Sequence, residues 1–242
     1  FRFFKDHPDI KKFYAPRFGR GEPFVVRHFK VIAVDIIPMA AGLYMVDKAY
    51  LVPKFSDPKF IPRIIKICRQ EKVDIIFPCL DPELEVLATN AARIKKESGA
   101  VTVISSVRAV RIADDKWKTV QFLKKNRLLY AKSCLAKDLP VFLKTAGFPL
   151  VVKPRVGAAS KGVHVVHTES ELREAVRTVK NPIIQEYLAN ENAEYTCSAF
   201  VYKGKSYGAI CGQRWLRDGD TYKAHFKKNP KLEAFIARVA TK

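Results

Sequence analysis

The chain has 242 residues, 48% hydrophobic and 28% charged, a balance that supports a packed core and excludes a disordered chain. Lys and Arg number 44 against 24 Asp and Glu, so the net charge of +20 attracts polyanions in general, nucleotides and nucleic acids alike. The longest mostly apolar stretch, residues 31–46, carries Asp35 and Pro38 and is too short to span a bilayer. Five scattered cysteines without a CxxC pair argue against a structural zinc or a disulfide framework. They point to a reducing, cytoplasmic setting. No signal peptide is visible, and Phe1 stands where a Met would, so the true start is expected upstream.

Residues 1–30 are aromatic and basic, with Gly19-Arg20-Gly21 in the middle. No strand precedes that GxG, so an ordinary turn is the simpler reading and a phosphate loop the alternative. From Lys30 the pattern alternates. Residues 31–35 read as a β-branched strand ending in Asp35, 61–71 as a helix, 74–78 as a strand, 82–98 as a helix and 101–104 as a strand. That order predicts βαβ units and a mostly parallel sheet, whose ligands gather at the carboxyl ends of strands. Asp35 and Asp81 lie there, as ribose acceptors or as plain turn acids.

A second segment opens near Asp114. Residues 115–126 predict a helix, 139–146 a shorter one closed by Gly147, and 148–154 a strand. A small-residue loop follows, residues 155–162, then a returning strand over 163–166. Thr168 is an expected N-cap with Glu171 in the capping-box position. Strands are expected at 183–188, at 195–202, and at 206–211 after a turn at Gly204. Gly219-Asp220-Thr221 reads as a turn and residues 230–239 as a helix.

An ATP site needs cations and backbone N–H donors for phosphates, a backbone edge for adenine and an acceptor for ribose hydroxyls. Residues 114–194 offer these in order. Lys116 opens a helix, and Lys153 ends a strand before a loop of Gly157, Ala158, Ala159, Ser160 and Gly162, small residues that let N–H groups approach oxyanions. Arg155 and Lys161 add charge. A strand stopping within Gln185-Glu186-Tyr187-Leu188 leaves a carbonyl and an N–H two residues apart, and Glu194 follows.

This pattern resembles the ATP-grasp superfamily, in its carbamoyl-phosphate synthase large-subunit-like branch. The likeness rests on residues 114–119, on 148–155 with 157–163, and on 185–188 with 194–196; residues 32–35 and 76–81 look like the family's preceding domain. The resemblance implies an α/β fold: an ATP-grasp domain after a Rossmann-like parallel α/β domain, with the C-terminal part missing. Residues 1–112 would be the preceding domain, 113–188 the lid subdomain with its phosphate loop, and 189–242 the start of an incomplete C-terminal subdomain. It further implies that Lys116 and Lys153 bind ATP phosphates and that Gly157 to Val163 cap them. The Glu186 carbonyl and Leu188 N–H would hold adenine beside Tyr187, helped by the Gln185 side chain, and Glu194 would bind ribose. Arg214 and Arg217, placed after the strand ending at Cys211, would steady the transferring phosphoryl group.

After residue 200 the only acids are Asp218, Asp220 and Glu233, none in the family's E-x-N arrangement. Magnesium is expected with ATP, its ligands beyond residue 242 and none in this chain. The implied activity is ATP-dependent ligation: a small carboxylate is activated as an acylphosphate, then attacked by an amine or ammonia. Two rivals stand beside it: a nucleotide-binding regulatory module without turnover, and a basic nucleic-acid binder, against which no helix-turn-helix, RRM or zinc-finger motif is visible. No membrane partner is expected, and a homo-oligomer stays open.

Overall fold

A computed structural model describes residues 30–157, 160–188, 194–217 and 220–242. The phosphate-loop residues Ala158 and Ala159, like the Gly19-Arg20-Gly21 turn, lie outside the described residues. The chain divides into two units, Phe1–Ser105 and Ser106–Lys242.

In the first unit, β1 (Ile32–Asp35) pairs in parallel with β2 (Lys48–Leu51). Helix α1 (Phe60–Glu71) leads to β3 (Ile75–Ile76), then α2 (Leu84–Ser98) and β4 (Val101–Thr102), which pairs in parallel with β3. The parallel pairing matches the expectation. The strands are shorter than the sequence suggested, and β2 was not anticipated. Helix α1 forms because Ile61, Ile64, Ile65 and Cys68 recur at helical spacing and bury one stripe. Leu87 and Ile94 of α2 join the same core. Helix α2 stops at Gly99, whose φ of 82° is the left-handed conformation that closes helices; its N–H bonds the Lys95 carbonyl at 2.9 Å. Glu71, with 2% of its side chain exposed, accepts hydrogen bonds from Lys30, Lys48 (2.9 Å) and the Tyr50 hydroxyl. Asp35 is engaged locally: its Oδ1 accepts the Ile37 N–H at 2.9 Å, the contact of a turn acid.

The second unit starts with α3 (Val107–Asp114), N-capped by Ser106, and α4 (Lys116–Lys125). Then come β5 (Ser133–Leu135), α5 (Leu139–Phe142), β6 (Leu150–Pro154), β7 (His164–Val166), α6 (Glu169–Thr178) and β8 (Pro182–Glu186). The strands form an antiparallel sheet in the order β5-β8-β6-β7. Alternation sorts its faces. Cys134, Leu150, Val152, Val166 and Ile184 turn inward onto Leu172 and Ala175 of α6. Val151, Lys153, Ile183, Gln185 and Ser133 lie on the opposite face, as their pairing register requires. Thr168 caps α6 by accepting the Glu171 N–H at 3.2 Å. The Glu171 carboxylate reaches the His167 N–H (2.8 Å), one residue earlier than in the standard capping box.

A second antiparallel sheet, order β11-β10-β9, comprises β9 (Tyr195–Tyr202), β10 (Lys205–Arg217) and β11 (Asp220–Phe226), with α7 (Pro230–Ala240) packed on β9 and β10. Two expectations are corrected here. The strand expected to end at Cys211 runs on to Arg217, so Arg214 and Arg217 are strand residues rather than loop residues. Asp220 and Thr221, expected in a turn, begin β11. The continuation has a physical cause: Gly212 to Arg217 gain a new partner strand in β11 just where β9 runs out. Local sequence shows no such partner.

Candidate functional site

The site is built on the β6–β7 hairpin and the start of α4. Asp115 caps α4 by accepting the N–H groups of Trp117 (2.9 Å) and Lys118 (3.3 Å). The same carboxylate binds Arg155, accepting from Nε at 3.1 Å and from Nη2. Burial raises the Asp115 carboxyl, but the bonds from Arg155, Lys118 and Trp117 outweigh it and hold the group below its usual range. Arg155 is thereby committed to tying the hairpin to the helix. The tie is reinforced by the backbone, since Lys116 N–H donates to the Arg155 carbonyl at 2.9 Å.

That fastening aims Lys116 into the hairpin. Its Nζ donates to the Gly157 carbonyl at 2.9 Å and lies 3.5 Å from the Arg155 carbonyl. Gly157 (φ 145°) and Gly162 (φ 70°) supply conformations that side chains resist, and a Cβ on Gly162 would stand 3.2 Å from the Pro154 ring. Ser160, Lys161, Gly162 and Val163 are all exposed on the hairpin.

Lys153 extends from the sheet face opposite the one packed on α6, and its Nζ donates to Gln185 Oε1 at 2.8 Å. Burial and the positive charge of Lys116 together lower its pKa. Among the described residues neither ammonium meets a carboxylate. Two cations that face only neutral oxygens among the described residues are complementary to a polyanion. On this observation the residues fit a nucleotide triphosphate. Among the described residues no three His, Cys, Asp or Glu side chains converge, so these residues do not by themselves make a divalent-cation site.

The end of β8 has a further feature that the sequence did not disclose. Glu186 N–H donates to the Lys132 carbonyl at 3.0 Å, a ladder bond. The Lys132 N–H, however, donates to Glu186 Oε1 at 2.7 Å. The carboxylate takes the donor that the Glu186 carbonyl would otherwise use, which leaves that carbonyl outside the ladder. Tyr187 and Leu188 then leave the sheet, 43% and 68% exposed. Glu194 lies at the start of β9, where its Oε1 accepts Arg214 Nε (3.0 Å) and Nη2 (2.6 Å); Arg214 Nη1 reaches Thr221 Oγ1 at 3.2 Å. Arg217 stacks over Tyr222, 4.4 Å from the ring centre. The structure thus brings together Lys116 with the hairpin, Lys153 with Gln185, and Glu194 with Arg214. Asp115 enters the sequence pattern only as part of residues 114–119, and its N-cap position is the local signal for its role here, whereas Ser133 carries no local signal.

Residues 113–239, just over half the chain, match the ATP-grasp domain family. The chain belongs to the ATP-grasp family. Residues 22–104 match the PylC-like, N-terminal domain family. Among relatives of this ATP-grasp chain is a carbamoyl-phosphate synthase from Methanobrevibacter smithii, 25% identical over 179 residues, 69% of this chain and 47% of the relative. Another is a formate-dependent phosphoribosylglycinamide formyltransferase from Wigglesworthia glossinidia brevipalpis, 28% identical over 149 residues, 60% of this chain and 36% of the relative. The chain therefore spans less than half the length of these two relatives. Among solved structures, N5-carboxyaminoimidazole synthetase from Staphylococcus aureus, complexed with ADP, shares the fold at a TM-score of 0.61 and 18% identity, covering 87% of this chain and 56% of that one. The family is one of ATP-dependent ligases. Among the described residues no helix is long and apolar enough to cross a membrane.

Proposed function

We propose that this chain binds ATP between the β6–β7 hairpin and the end of β8, as part of a ligase that activates a small carboxylate as an acylphosphate for attack by an amine or ammonia. The observation that carries the reading is the pair of ammonium groups, Lys116 and Lys153, without a carboxylate among the described residues. In this reading both lysines hold phosphate oxygens, and the hairpin residues Gly157 to Val163 cap them with backbone N–H groups. The Glu186 carbonyl, freed by its own carboxylate, accepts the adenine amino group, and the Leu188 N–H donates to the ring. Glu194 offers Oε2 to the ribose while Arg214 fixes Oε1.

The carboxylate oxygen attacks the γ-phosphorus and the bond to the β-phosphate oxygen breaks, releasing ADP. The amine then adds to the acyl carbon and inorganic phosphate departs. Fixed cations favour the first step because charge gathers on the phosphoryl oxygens. Arg217 serves there in this reading, whereas Arg214, its charge matched by Glu194, holds that carboxylate for the ribose. Magnesium, when bound with the nucleotide, would neutralise charge on the phosphate oxygens; among the described residues no cluster of carboxylates would hold it. The setting is the cytoplasm, in keeping with five unpaired cysteines.

Titration calorimetry with ATP, with and without magnesium, tests the reading on wild type and Lys153→Ala. Binding by wild type that is lost in Lys153→Ala is expected. Equal binding by both would remove Lys153 from the site, and no binding by a folded wild type would overturn the reading.

A further inference from the structure

The four-stranded sheet carries a chain of hydrogen bonds that ends on Lys153 and starts at a residue without a role so far. Ser133 and Gln185 face each other across β5 and β8. The adjacent pair, Lys132 and Glu186, holds the ladder bond, so Ser133 and Gln185 form a non-hydrogen-bonded pair, the class whose side chains approach most closely. Gln185 Nε2 donates to Ser133 Oγ at 2.8 Å, and Ser133 Oγ donates to the Ala131 carbonyl at 2.8 Å. Gln185 Oε1 accepts from Lys153 Nζ at 2.8 Å.

The three bonds fix one another's direction. An ammonium only donates, so the amide must turn its oxygen to Lys153. Its NH2 then needs an acceptor, and Ser133 Oγ, having given its proton to Ala131, can only accept. Reversing the amide would set NH2 against NH3+ and leave the Ser133 contact without a second proton. The partner at 185 is also neutral. A carboxylate there would hold the lysine equally well but would cancel the charge that a phosphate needs.

We propose that Ser133 is a positioning residue for nucleotide binding: through Gln185 it fixes the Lys153 ammonium where it meets the phosphates. The inference rests on the reading of Lys153 as a phosphate-binding cation. Lysine carries a flexible four-carbon stem with high rotamer entropy, so an anchored acceptor lowers the ordering cost of binding. Without Ser133 the Gln185 amide keeps its bond to Lys153 and loses the one to Ser133, so the anchoring of the ammonium weakens.

The test uses the 242-residue chain and ATP calorimetry on Ser133→Ala, Ser133→Thr, Gln185→Leu and the Ser133→Ala/Gln185→Leu double variant. Ser133→Ala is expected to weaken ATP binding about fivefold, the worth of one net hydrogen bond. Ser133→Thr is expected to restore it, and Ser133→Ala is expected to add nothing in the Gln185→Leu background. A second readout is the pH profile of Lys153 acetylation by acetic anhydride, followed by mass spectrometry. An acceptor favours the charged ammonium, so its weakening in Ser133→Ala and its loss in Gln185→Leu both move that profile to lower pH. Ser133→Cys, close in size and a weaker acceptor, replaces Ser133→Ala if the latter does not fold. Wild-type ATP binding with an unchanged Ser133→Ala, or additive losses in the double variant, overturns the proposal alone. Absence of ATP binding by the wild type overturns the nucleotide reading and this proposal with it.

Discussion

Glu71 and Lys153 are charged side chains held in place by opposite means. Glu71 is buried among donors from Lys30, Tyr50 and Lys48, and these pull its pKa from 4.5 to about 2. A carboxyl depressed in the fold contributes stability that is fully present above its unfolded pKa. As the pH falls from 4.5 towards 2 that contribution is lost. Melting temperatures measured across this window should therefore drop more steeply for the wild type than for Glu71→Gln, which has no proton to take up. Equal slopes would show that the cluster does not tune acid stability. Lys153 meets only a neutral acceptor among the described residues, with burial and Lys116 lowering its pKa. ATP affinity should consequently begin to fall at a lower alkaline pH than an ordinary lysine would give. Calorimetry in a rising pH series checks this, and an affinity flat to the normal lysine range would contradict it.

Helix α4 and the β6–β7 hairpin act as one element because Asp115 serves both. It caps the helix and neutralises Arg155, while the Lys116 N–H and the Arg155 carbonyl close the join. Asp115→Ala removes the cap and leaves a half-buried guanidinium unpaired. A cap alone is worth about 1 kcal/mol, and the stranded cation adds to the loss. Chemical denaturation of Asp115→Ala should show at least about 1 kcal/mol of destabilisation. Asp115→Asn, which can still cap, should recover part of it. A variant as stable as wild type would mean that α4 and the hairpin hold together without this carboxylate. The length of β10 has a comparable origin, because β9 supports its first half and β11 its second.

The whole molecule consists of two units, each with its own hydrophobic cluster, one around α1 and α2 and one between the four-stranded sheet and α6. Every residue assigned to nucleotide binding, from Lys116 to Arg217, belongs to the second. Residues 106–242 expressed alone should accordingly fold and match whatever ATP affinity the 242-residue chain shows. A folded fragment without ATP binding would place part of the site in residues 1–105. The charge of +20 is a property of the entire surface. Any binding of nucleic acid through it should weaken steeply with salt, since each phosphate contact releases counterions. ATP binding through two lysines should weaken less. Parallel titrations at rising salt separate the two, and a DNA affinity that is sub-micromolar at low salt and falls steeply as salt rises would revive the nucleic-acid reading.

The sequence by itself determined the strand–loop–strand hairpin, the helix after it and the lysines on either side of its loop, because each is written locally, whereas β2 and β11 were not legible there. A short apolar run rich in β-branched residues, Leu150 to Val152, ends in Lys153, small residues fill the loop, and Thr168 precedes a helical stripe. Those patterns depend on neighbours within a few positions. The tertiary structure alone decided which charges are spent and which remain available. Arg155 is consumed by Asp115, Glu194 is shared with Arg214, and the Glu186 carboxylate releases its own carbonyl. Ser133 gained its place next to Gln185 only through strand register. Each of these partners is 20 or more residues away in sequence, and no local period encodes a contact at that distance.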